Sequence, residues 1–142
     1  MIIYQEAKKF LRKNPLTIGW RIKSHCKVIE KHLNDDETPR FVFIAQKNNN
    51  PFDWFSTNVV VLTNKRILLG SDRVVFGYFF TSITPDMFND LKVVGGLIWG
   101  KVVIDTVKEV VYLSNIDKKA LPVIENEITE YMMNEKKKYK TT

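Results

Sequence analysis

Three side chains able to ligate a metal or attack an electrophile, His25, Cys26 and His32, fall close together in the sequence. On a helix, His25 and His32 share a face but stand about 10 Å apart along the axis, too far for one ion held through bonds near 2 Å. Cys26 has only His25 as a neighbouring base, and adjacent residues point to different sides of a helix, so its thiol reads as a small core side chain. No metal site is expected. Acid–base catalysis needs two carboxyl groups held by rigid elements, yet Asp35, Asp36 and Glu37 sit in a connector, while Asp72, Asp86 and Asp90 suit turns. Gly95, Gly96 and Gly100 lack the lysine and the strand-to-helix setting of a phosphate loop. No catalytic residue and no cofactor is assigned, and the chain is not expected to be an enzyme.

Composition narrows the remaining classes. The 142 residues suit one domain, and 44% apolar with 27% charged residues suit a globular core. No apolar run approaches the roughly 18 residues of a spanning helix, and Met1-Ile2-Ile3 is followed at once by polar residues, so neither a membrane span nor a cleaved secretory signal is expected. A single cysteine fits a reducing compartment and hence the cytoplasm. The net charge of +6 is spread along the chain, and only Lys136, Lys137, Lys138 and Lys140 cluster. That pattern argues against a nucleic-acid stripe and reads as a solvated helix end.

The elements that must position any site begin with two amphipathic helices. Ile3, Ala7, Phe10 and Leu11 predict the first, over Ile2 to Lys13. Asn14-Pro15 predicts the cap and start of a second that runs to about Leu33, with Ile18, Ile22, Cys26, Ile29 and Leu33 in one stripe. Seven strands follow. Phe41–Lys47 is the first, and Thr57–Gly70 is a hairpin turning at Asn64-Lys65. Val74–Phe80 is the fourth, a continuous apolar run that predicts burial on both faces. Leu91–Val94, Lys101–Thr106 and Glu109–Leu113 complete the set, with a corner at Thr84–Asp90. A last helix runs to about Lys137, and Pro122 places its regular part from about Leu121, after a preliminary turn at Asp117–Ala120.

Short antiparallel strands closed by one amphipathic helix, with Val61–Leu68 reading VLTNKRIL, a glycine-bearing stretch from Val94 to Ile104 and a step LSNIDKK at Leu113–Lys119, resemble the bacterial pleckstrin-homology-like domains. The resemblance covers about Arg40 to Asn134. It implies a mainly β fold: a sandwich or partly open barrel of about seven antiparallel strands, capped by the C-terminal helix. Residues 1–39 form a helical extension outside it, docked on the barrel or paired with a second copy, and residues 40–142 form the domain.

The resemblance also implies where to look for a site. Lipid-binding members place a lysine at the end of the first strand, which Lys47 matches, and a basic pair in the second, which Thr57–Thr63 lacks. Lys65 and Arg66 come only at the next turn, at the far end of a meander, so Arg66 reads as structural. Arg73 and Lys108 are expected to reach the Lys47 end. Between them, Phe52, Trp54 and Phe55 either offer an aromatic contact or, in the simpler reading, fold back to seal the barrel. The expected function is a non-catalytic intracellular interaction module binding a protein partner or itself. The alternative is weak attachment to an anionic membrane surface through Lys47, Phe52, Trp54, Phe55, Arg73 and Lys108, aided by the lysine tail.

Overall fold

The structure, a computed structural model, describes residues 2–50, 52–73 and 76–141, with side chains described as far as Glu135. In chain order it contains α1 (Ile2–Lys13), α2 (Ile22–His32), β1 (Pro39–Gln46), β2 (Thr57–Thr63), β3 (Ile67–Asp72), β4 (Tyr78–Ile83), β5 (Phe88–Gly95), β6 (Trp99–Thr106), β7 (Val110–Asp117) and α3 (Leu121–Thr141). Short 3-10 turns at Pro85–Met87 and Lys118–Ala120 introduce β5 and α3. The strands lie in the order β4-β3-β2-β1-β7-β6-β5, every described pair antiparallel. Bulges in β1, between β5 and β6, and between β6 and β7 bend the sheet into a curled half-barrel.

The strands β1–β4 form a first sheet and β5–β7 a second, and every residue of β2 is buried because both faces of the first sheet are covered there. Ile44, Val59 and Gly70 form one cross-strand row, and α2 lies on it so closely that a Cβ at Gly70 would stand 2.6 Å from Ile29 Cδ1. The next row, Phe43, Val60 and Leu69, points to the opposite face. Both rows belong to one hydrophobic cluster that takes in Ile3, Ala7 and Phe10 of α1, Cys26 and Ile29 of α2, Ile104 and Leu113 of the second sheet, and Ile124 and Ile128 of α3. The apolar stripes of α1 and α2 are thus covered within the chain. Each valine, leucine, isoleucine or phenylalanine among them contributes about 1.5–3 kcal/mol on burial.

The two sheets meet at a thin seam. β1 touches β7 through one described pair, Gln46 with Ser114. The segment 16–20 straps it. Ile18 N–H donates to Asn115 O, Asp117 N–H donates to the Thr17 hydroxyl, Gln46 Nε2 donates to Ile18 O, and Trp20 N–H donates to the Thr57 hydroxyl. Gly19 passes where a Cβ would lie 2.7 Å from Ile44 Cγ2.

Four expectations need correction. The second helix does not start at Pro15 but at Ile22: Asn14 closes α1 instead, both its amide nitrogens donating to Phe10 O, and the strap claims the backbone in between. The fourth strand is Tyr78–Ile83 and is not buried on both faces, because β4 is an edge strand with Tyr78 and Phe79 exposed. Val74 and Val75 lie outside the described residues. The seventh strand continues to Asp117, so the LSNID step is still strand, and β5 begins at Phe88, inside the expected corner. The side chains of Lys136, Lys137, Lys138 and Lys140 also lie outside the described set.

Candidate functional site: the loop end of the half-barrel

The β1–β2 loop is shaped by its own polar side chains. Asn48 Oδ1 accepts from Asn50 N–H and from the Ser114 hydroxyl, Asn50 Oδ1 accepts from Phe52 N–H, and Asp53 Oδ1 accepts from Phe55 N–H. Gln46 and Lys47 close its base, the first accepting Ser56 N–H on Oε1, the second donating its N–H to Ser56 O. These turns hold residues 52 and 55 outward. Phe52 is 88% and Phe55 92% exposed, so neither ring folds back to seal the barrel. Trp54 alone leans inward, edge-on to Trp99 with ring centroids 6.1 Å apart.

The expected residues divide between three hollows. Lys47, Phe55 and Arg73 come together in a cavity of about 720 Å³ completed by Trp20, Arg21, His25, Asp72 and Phe79. Phe52 lines a second hollow of about 360 Å³ with Leu97, Ile98, Trp99 and Lys101, where Lys101 Nζ donates to Asn49 Oδ1 at 2.6 Å. Lys108 does not join Lys47. It lines a third hollow beside β4 with Ile83 and Met87, because Val107 N–H is held by Met87 O. Thr81 lines that third hollow too, and its hydroxyl meets Lys47 Nζ at 3.5 Å.

Three of the twelve residues lining the first of these cavities, Trp20, Arg21 and His25, come from the N-terminal extension, which local pattern assigned to a helix. Arg21 has left-handed backbone (φ 53°) and opens α2. Its guanidinium donates to Asp72 O at 3.0 Å and to Asp72 Oδ2 at 2.8 Å. Asp72 N–H in turn donates to His25 Nδ1 at 2.8 Å. Burial, and then the charge of Arg21, hold His25 below its ordinary value, so the ring is neutral at pH 7 and adds no charge. Arg73 stacks over Phe79, 5.0 Å from the ring centre. Among the described residues neither Lys47 nor Arg73 faces a carboxylate. Trp20, Arg21 and Phe79 carried no signal in the sequence beyond residue type.

The other candidates resolve locally. Arg66 stands away from this end, clasping Glu37 through two bonds of 2.8 and 2.9 Å and reaching His32 O and the Ser82 hydroxyl. Burial alone would raise Glu37; the bonds from Arg66, Thr63 and the Asn34 amide outweigh it and hold the carboxyl below its ordinary value. Cys26 is buried, and that burial, with the charge of Glu30, pushes its thiol up to about 12. His32 stacks on Phe80 at 4.0 Å. Among the described residues no group of three His, Cys, Asp or Glu is placed to hold a metal, and no helix is long and apolar enough to cross a membrane.

Comparison with known proteins bears on the family of the chain. No curated protein matches the chain. A pleckstrin-homology-domain protein of the DUF1696 family from Shewanella loihica PV-4 is 17% identical, with a TM-score of 0.49, over 77% of this chain and 87% of its own. A pleckstrin homology domain from Shewanella amazonensis SB2B is 15% identical, with a TM-score of 0.44, over 75% and 82%. The family model described as bacterial PH domain matches residues 33–130, well over half of the sequence, and the chain belongs to that family.

Proposed function

We propose that this protein is a non-catalytic interaction module whose working surface is the loop end, and that the surface it attaches to is an anionic membrane. One observation carries the reading: three separate loops each expose an apolar tip, and two of those loops share hollows with cations. Phe55 of the β1–β2 loop lines one hollow with Lys47 and Arg73, Phe52 of the same loop and Leu97 (89% exposed) line the second with Lys101, and Phe76 (77% exposed) lies in the β3–β4 loop. Soluble domains seldom leave such rings grouped without a use, and apolar tips with cations beside them suit the boundary between head groups and acyl chains. Each cation near such a surface contributes about 1 kcal/mol, so the attachment is weak and salt-sensitive.

Flotation with vesicles containing phosphatidylserine, at low and physiological salt, tests it. The protein should float at low salt. Phe52→Ser with Phe55→Ser, or Lys47→Ala with Arg73→Ala, should reduce binding by about tenfold or more. Absence of flotation at both salts sinks the membrane reading. The same rings also suit an interface anchor, so a protein partner or a second copy is the competing occupant. A sedimentation coefficient that rises with concentration in the parent and not in the Phe52→Ser, Phe55→Ser variant would favour it.

A further inference from the structure

The cavity between the N-terminal extension and the barrel has a composition that the loop tips do not share. The half-exposed rings of Trp20 and Phe79 line it, Phe55 stands at its rim, and its volume of about 720 Å³ is within the roughly 300–1,000 Å³ of small-molecule sites. Its charge is small and placed to one purpose. Arg21 is matched by Asp72 in a 2.8 Å ion pair, and His25 is neutral. Lys47, with only the Thr81 hydroxyl at 3.5 Å, and Arg73, with only the Phe79 ring, remain as cations that no described carboxylate neutralises.

Two uncommitted cations beside an aromatic hollow are a poor match for a polyphosphorylated head group, whose several charges would outnumber them. They match one anionic group attached to an apolar body. We infer that this cavity binds a single amphiphile: the head, a carboxylate or phosphate monoester, meets Lys47 and Arg73, and the tail lies against Trp20, Phe55 and Phe79. The inference rests on the loop end being the working surface and goes further by naming what enters it. The extension is then part of the binding site, since Trp20 lies outside the span that matches the family. The amphiphile can come from a bilayer or from free solution.

Calorimetric titration of the full chain with monomeric dodecyl phosphate, below its micelle concentration, tests this, with monomeric dodecyl maltoside (the same tail on a neutral head), inorganic phosphate and inositol hexakisphosphate as comparisons. One saturable site for dodecyl phosphate is expected, with binding at least about tenfold weaker for the neutral head and for phosphate alone. Arg73→Ala and Phe55→Ser, both at exposed positions where substitution costs little stability, should each weaken it about five- to tenfold, and Lys92→Ala on β5 should not. Inositol hexakisphosphate binding as tightly as dodecyl phosphate, no saturable binding, or uptake of many molecules indifferent to these substitutions would each overturn the inference. Vesicle flotation by the same preparations separates the two claims. Flotation without dodecyl phosphate binding leaves the membrane reading standing and removes this one. A single dodecyl phosphate site without flotation supports the cavity and points to a free amphiphile.

Discussion

Replacing Arg66 by alanine should be among the most damaging single changes outside the central core. Glu37 has a fully buried side chain, and the guanidinium that neutralises it is 17% exposed. Without Arg66 the carboxylate keeps only the Thr63 hydroxyl at 2.7 Å and the Asn34 amide at 3.2 Å. Breaking one half of a buried pair costs about 3–5 kcal/mol, and the partly open side of Arg66 lets water reach the acid, which favours the lower end. At about 2–4 °C per kcal/mol for a chain of this size, the melting temperature should fall by roughly 10 °C. Urea unfolding of Arg66→Ala, Glu37→Ala and the double variant measures the coupling, expected at about 1–3 kcal/mol because the two groups share hydrogen bonds. The pH dependence is a second readout. Glu37 is held below its ordinary 4.5 in the folded state, so its stabilisation is present above that value and lost as pH falls through the folded one. In Arg66→Ala burial acts unopposed, and this part of the acid sensitivity should flatten or reverse. A loss under about 1 kcal/mol, or strict additivity in the double variant, would refute the clasp as an energetic link between the extension and the β2–β3 hairpin.

Three further outcomes are expected. A Cβ at Gly100 would lie 2.2 Å from Leu121 Cδ1 and 2.7 Å from its Cγ, so Gly100→Ala should cost about 1–3 kcal/mol in urea unfolding, and adding Leu121→Ala should cost less than the two separately. His25 accepts Asp72 N–H while neutral, with Arg21 and Asp72 as its charged neighbours, and its folded value lies below the ordinary 6.5. Its contribution is therefore present above pH 6.5 and lost as pH falls below it. His25→Asn should flatten the change in urea midpoint between pH 7.5 and 5. Cys26, with its thiol pushed up to about 12, should react with a thiol reagent at pH 8 at least about a hundredfold faster in urea than in the native protein.

What the chain reveals without its fold is the part written in local periodicity and turn chemistry. Continuous runs of β-branched and other apolar residues on either side of Asn64-Lys65 specify the β2–β3 hairpin, because a pleated strand buried on both faces needs such side chains at every position. Pro122 likewise marks the start of α3 at Leu121, since proline is tolerated only in the first turn. Lys47, Phe55 and Arg73 could be placed at one end of the half-barrel because each lies at or near a strand end that a meander brings round. The strap could not be foreseen: Leu16 to Trp20 gives its backbone to residues 28 to 101 positions away, which no window of neighbours reports. For the same reason Trp20 and Arg21 stayed invisible as cavity walls, and Lys108 was drawn to the wrong hollow. An apolar run such as Tyr78-Phe79-Phe80 has the same composition in a core strand and at an exposed edge. Only the order of the strands decides which, because burial belongs to the neighbours a residue acquires and not to the residue.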